Sequence, residues 1–136
     1  MRIDKPLFDY IEYELYAYEK TKEEIELIRE DIINSTNAAA GEKVNNSNIS
    51  NITESKAIRL TTNTAILNMA RTVEAIETAL SKLTEDHQKI FTLKYKLGMN
   101  WRQVISEMPT SERSYFRLRK EIVLMVGQEM GKLRVG

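Results

Sequence analysis

The chain has no cysteine, which excludes disulfides, thiolate metal sites and cysteine nucleophiles. Its one histidine, His87, has no second histidine with which to build a zinc site or a catalytic triad. Two prolines and five glycines are all that interrupt 136 residues rich in Glu, Lys, Leu, Ile and Ala. That balance favours long helices over a sheet. No run approaches the ~18 apolar residues of a membrane span. The start, Met1 to Pro6, leads into charged helix and not into an apolar leader. These absences predict an all-α, cytoplasmic binding protein that is not an enzyme and carries no metal and no cofactor.

A net charge is missing too, but the zero hides a gradient. Residues 1–33 hold 5 Lys/Arg against 10 Asp/Glu, and residues 34–83 hold 5 against 4. Residues 84–136 hold 10 against 6. An acidic head and a basic tail suit a chain of which only the tail meets a polyanion.

What is present is helical periodicity. Phe8, Ile11, Leu15, Tyr18, Ile25 and Ile32 fall on three- and four-residue steps, with Lys22 and Arg29 where the seam breaks, predicting one long amphipathic helix from Lys5 to Ile33. Its other face carries Glu12, Glu19, Glu23, Glu26 and Glu30, read as a solvated surface. Residues 34–55 are crowded with Asn and Ser, which compete for backbone hydrogen bonds, and predict a flexible linker. Ile58, Thr62, Ala65, Met69, Val73, Ile76, Leu80 and Leu83 mark a second long helix, about 56–83. The simplest architecture is an antiparallel hairpin or coiled coil over 1–83, followed by a separate small helical unit over 84–136. A two-helix hairpin leaves apolar surface exposed, so a homo-oligomer, dimer or larger, is expected. Met69, Met108, Met125 and Met130 are read as packing residues.

The third segment carries the chemistry. Thr84 can cap a helix with Glu85 and Asp86 in its first turn, and His87 in that turn is expected to face solvent. Ile90, Phe91, Leu93 and Leu97 supply a core face, and Gly98 ends the helix. Asn100 with Gln103 predicts a capping box for the next helix, with Trp101 as a core wedge and Val104, Ile105 and Met108 inward. Met108-Pro109-Thr110-Ser111 is a turn. Pro109 cannot take a positive φ where many such turns use Gly, so this turn needs another form.

The helix after it has Tyr115, Leu118 and Ile122 as its inward stripe. Glu112, Arg113, Ser114, Arg117 and Lys120 then point away from the core. That is the layout of a helix-turn-helix with its second helix in the major groove. Arg113 and Arg117, with Glu112 and Ser114, are the expected base readers, since Arg pairs bidentately with guanine O6 and N7. Arg102, Gln103, Thr110, Ser111 and Lys120 are expected on phosphate. Ile90, Phe91, Leu97, Val104, Ile105, Leu118 and Ile122 are expected to give 84–136 a trihelical core of its own.

Leu83 to Phe91, Trp101 to Ile105 and Ser111 to Ile122 resemble the promoter-reading helix-turn-helix of bacterial sigma factors. The whole chain resembles small phage and prophage regulators of the RinA/ArpU type. Those share an N-terminal helix like Glu14-Leu15-Tyr16-Ala17-Tyr18, a variable polar middle and a Ser-x-Arg-(Ser/Thr)-x-x-Arg helix, here Ser111, Arg113, Ser114 and Arg117. The resemblance implies sequence-specific activation of phage late or lysis-related genes in a bacterial host, with RNA polymerase as a further candidate partner. Two other functions compete. A small terminase subunit would also join a helix-turn-helix to assembly helices, in the opposite order. A coiled-coil adaptor would bind protein alone.

Overall fold

The computed structural model describes the backbone of residues 3–41 and 49–133, and the side chains of 3–34 and 63–133. Among the described residues all regular structure is helical, as the composition predicts. In chain order it comprises α1 (Lys5–Tyr16), α2 (Tyr18–Gly41), α3 (Ile49–Lys82), α4 (Glu85–Ile90), a π-helical segment (Phe91–Lys96), α5 (Trp101–Glu107) and α6 (Glu112–Glu129). No helix of the described residues is long and apolar enough to cross a membrane.

The predicted first helix is two. Pro6 stands in the first turn of α1, where its missing N–H costs nothing, and α1 ends at Ala17. The interruption has a packing reason. Tyr16 lies edge-on to Tyr95 with ring centroids 4.9 Å apart, and Tyr18 lies edge-on to Phe91 at 5.6 Å. On an unbroken helix two residues two positions apart point about 160° away from each other, so both could not meet one segment.

Helical backbone also covers 34–41 and 49–55, where the Asn/Ser composition predicts a linker. Extending an existing helix fixes one residue per hydrogen bond, and Ala38, Ala39 and Ala40 are the best helix formers. Residues 42–48 of that expected linker, and the side chains of Ile58 and Thr62 of the expected second stripe, lie outside what is described.

The chain forms two compact units, Met1–Glu19 with Thr72–Gly136, and Lys20–Arg71. The sequence places a division between 83 and 84; in these units α1 and the end of α3 group with the C-terminal helices. Ile11 and Leu15, expected in a seam between long helices, are buried instead in a core with Ile76, Ala79, Ile90, Val104, Tyr115, Ile122, Val123 and Val126. α1 packs on α6 and on the π segment, and α6 also packs on α4 and α5. Gly127 marks how close the approach is. A Cβ there would stand 3.0 Å from Ile11 Cδ1 and 2.7 Å from Leu133 Cδ1. In the other unit Leu27, Ile33 and Leu67 are exposed, while Ile25 is buried.

Two expectations for the core fail locally. Leu97 is 60% exposed, because the π turn adds a residue and carries it off the face shared by Ile90 and Phe91. The Leu97 N–H accordingly donates to Thr92 O, five residues back, at 2.9 Å. Gly98 then takes φ +72°, the left-handed ending expected of it. His87, expected in solvent, is buried. Its Nδ1 accepts from the Thr84 N–H at 3.2 Å and lies 2.6 Å from Thr84 Oγ1, while α6 covers the ring. His87 Nε2 makes no hydrogen bond, and Glu121 Oε2 lies 3.6 Å from it.

Candidate nucleic-acid interface

The candidate surface begins at the entrance to α5. Asn100 Oδ1 accepts from the Gln103 N–H at 2.9 Å, and Gln103 Oε1 accepts from the Asn100 N–H at 3.0 Å. This reciprocal cap is the one the sequence predicts. It engages the carbonyl oxygen of Gln103, a residue also expected on phosphate. Arg102 is exposed, and its Cζ lies 5.1 Å from the centre of the Trp101 ring. Trp101 is half-buried and meets Phe116 of α6 at a centroid distance of 6.0 Å. Val104 and Met108 point inward as expected, and Ile105 is half-buried.

The turn between α5 and α6 uses no left-handed residue. Met108 is extended, with φ −132° and ψ 140°, and the Thr110 N–H donates back to Met108 O at 2.8 Å. That bond closes a γ-turn around Pro109, whose fixed negative φ suits the inverse form. The chain then enters α6 through Ser111. Its Oγ accepts from the Ser114 N–H at 3.1 Å and donates to Ser114 Oγ at 3.0 Å. Ser114, an expected base reader, is thereby half-buried in the cap, and Thr110 is half-buried beside it.

The rotational setting of α6 decides which charges are free. Tyr115 is 1% exposed, Leu118 7% and Ile122 0%, so the predicted inward stripe is the observed one. Arg113, Arg117 and Lys120 are exposed on the opposite side. At 100° per residue they fall within an arc of about 60°. Glu112 is exposed on the flank of this arc. Arg117 Nη1 reaches Glu121 Oε1 at 3.3 Å, an exposed pair of little strength.

Sequence reading missed the side chain that fixes this setting. Arg119 of α6 turns back to α1 and grips Glu12 with both arms, Nε to Oε2 at 3.0 Å and Nη2 to Oε1 at 2.7 Å. Tyr95 Oη donates to Glu12 Oε2 at 2.7 Å, and Lys94 Nζ stands 3.9 Å from the same oxygen. The Arg119 Cζ also lies 4.9 Å from the centre of the Phe8 ring. Glu12 was expected on a solvated face, yet its side chain is only 12% exposed. A 107-residue separation leaves no periodic signal from which to find this pair.

Burial pushes the Glu12 carboxyl up, but the Arg119 and Tyr95 hydrogen bonds and the Arg119 and Lys94 charges outweigh it and hold it below its ordinary value. Burial and the Glu12 charge push the Tyr95 phenol up, so it stays a donor. A carboxyl lowered in the fold contributes stability that is fully present above its unfolded value of 4.5 and lost as pH falls through the lowered one. Glu12→Gln should therefore lower unfolding free energy by about 2 kcal/mol at neutral pH, the order of a charged hydrogen-bond pair. Its stability should fall less steeply on acidification than that of the natural chain. Urea unfolding at neutral pH and near pH 3 tests this; equal acid slopes for the two proteins would refute it.

No cluster of three or more His, Asp or Glu among the described residues could hold a metal. Residues 1–127 match a family described as a protein of unknown function, DUF722. The chain belongs to DUF722. Neither a curated protein nor a solved structure matches this DUF722 chain.

Proposed function

We propose that this DUF722 chain is a sequence-specific double-stranded DNA-binding transcriptional regulator of the RinA/ArpU type, acting on phage late or lysis-related genes in the bacterial cytoplasm. In this reading α5 and α6 form a helix-turn-helix, and α6 lies in the major groove. One observation carries the proposal. Arg113, Arg117 and Lys120 share an exposed arc of α6 directly opposite its buried stripe, on a helix locked in rotation by Arg119 and Glu12. Arg113 and Arg117 read base edges, with Glu112 available to a cytosine amino group. Lys120 and Arg102 hold phosphate and set the register, with Thr110 and Ser111 at the entrance to α6.

The same reading makes the protein a homo-oligomer. Leu27, Ile33 and Leu67 are 59%, 58% and 50% exposed on the long helices, apolar area that packing against a second copy would remove from water. A hairpin of α2 and α3 then pairs two reading heads, and RNA polymerase remains a candidate partner of the assembled complex.

The test is selection of bound sequences from random duplex DNA with the full chain, followed by titration of the selected duplex at several salt concentrations. One enriched motif is expected. Lys120→Ala should weaken binding to every duplex alike and reduce the salt slope by about one. Failure to enrich any motif would remove the proposal, and a selective loss at one base pair in Lys120→Ala would reverse the role given to that residue.

A further inference from the structure

We infer that Phe116 is a specificity-determining residue that contacts the 5-methyl group of a thymine in the major groove. The inference rests on the reading of α6 as the groove-entering helix. Phe116 is 38% exposed, and it is the one large apolar side chain that α6 presents to solvent. Its inner side is held by two rings. Tyr115 meets it edge-on with centroids 5.0 Å apart, and Trp101 lies tilted at 6.0 Å. Trp101 is itself overlaid by the Arg102 guanidinium. The Phe116 ring thus has rigid support behind it and an open face in front.

Position does the rest. On α6, Phe116 lies three residues after Arg113 and four before Lys120, so all three share one helical surface. A phenyl ring left in water between Glu112, one turn before it, and the cations Arg113 and Lys120 gains nothing from the fold. An apolar protein partner would have to bury Arg113, Lys120 and Arg102 with it, leaving charges without water or counter-charge. A DNA groove removes that conflict, since phosphates neutralise the cations while base edges meet the ring. The major groove offers one exposed apolar group, the thymine methyl, and apolar side chains are its complement. An arginine beside such a contact takes guanine, so the structure points to a thymine adjoining a guanine within the recognised sequence.

Deoxyuridine differs from thymidine by that methyl alone, which makes the experiment clean. The duplex selected by the full chain is remade with each thymine replaced in turn by deoxyuridine, and binding is measured by fluorescence anisotropy. One replacement should weaken binding about fourfold, the size of one uncovered methyl group. Phe116→Ala should bind the thymine and uracil duplexes alike, and Phe116→Leu should restore part of the discrimination. Leu keeps the inner contact with Trp101, so a loss confined to Ala is not a folding effect, and thermal melts of both variants check that.

A selected motif whose affinity is indifferent to every uracil replacement overturns the inference while leaving DNA reading intact. Discrimination that persists in Phe116→Ala does the same, as does a motif with no enriched thymine. Absence of any enriched motif overturns DNA reading and this inference together.

Discussion

Residues 84–136, produced without the chain before them, are expected not to hold a cooperative fold. The sequence suggests otherwise, because Ile90, Phe91, Leu97, Val104, Ile105, Leu118 and Ile122 look sufficient for a trihelical core. The core of that unit, however, also contains Ile11 and Leu15 from α1 and Val73 and Ile76 from α3, at 0%, 1%, 9% and 0% exposure. Each buried residue of this class is worth about 1.5–3 kcal/mol, so removing four forfeits about 6–12 kcal/mol. A small domain commands about 5–15 kcal/mol in total, and a fragment of this length has few reserves. Losing Glu12 would also leave Arg119 half-buried without its partner. Circular dichroism during heating should show low helix content and no sharp transition. A cooperative melt of the fragment would show that α1 is an accessory to this unit and not part of its core.

The second large effect falls on recognition and leaves the fold alone. Arg113→Ala combined with Arg117→Ala should reduce binding to the selected duplex by about 10²- to 10⁴-fold, since each good bidentate contact discriminates by about 1–3 kcal/mol. Binding to unrelated DNA at low salt should survive through Lys120 and Arg102, so the ratio of specific to nonspecific affinity collapses. Stability should move by less than about 0.5 kcal/mol, because both side chains are exposed and the Arg117–Glu121 pair lies at the surface. Retention of the original motif by the double variant in a fresh selection would place recognition elsewhere on the molecule.

What could be read from the sequence follows physical range. The cap at Asn100, the left-handed Gly98 and the Tyr115/Leu118/Ile122 stripe depend on residues within a few positions of one another, and local spacing is what a sequence displays. Other features depend on tertiary context. Glu12 looks like its neighbours Glu19 and Glu23 until Arg119 arrives from α6. His87 looks solvated until α6 covers α4, and Leu97 looks inward until the π turn shifts its register. The exposed arc of α6 was legible because it is the complement of the buried stripe. Phe116 was not, because its half-supported ring depends on Trp101 of α5, which meets it from another helix.

The grip of Arg119 on Glu12 also orders events in time. At a synthesis rate of about 5–20 residues per second, the 107 positions between them represent roughly 5–20 s during which Glu12 has emerged and its partner has not been made. Ile11 and Leu15 share that wait, because Ile122, Val123 and Val126 follow them just as late. Closure of this unit is therefore a long-range event governed by chain entropy, and the helices that form quickly on their own are not the ones that decide when it is complete.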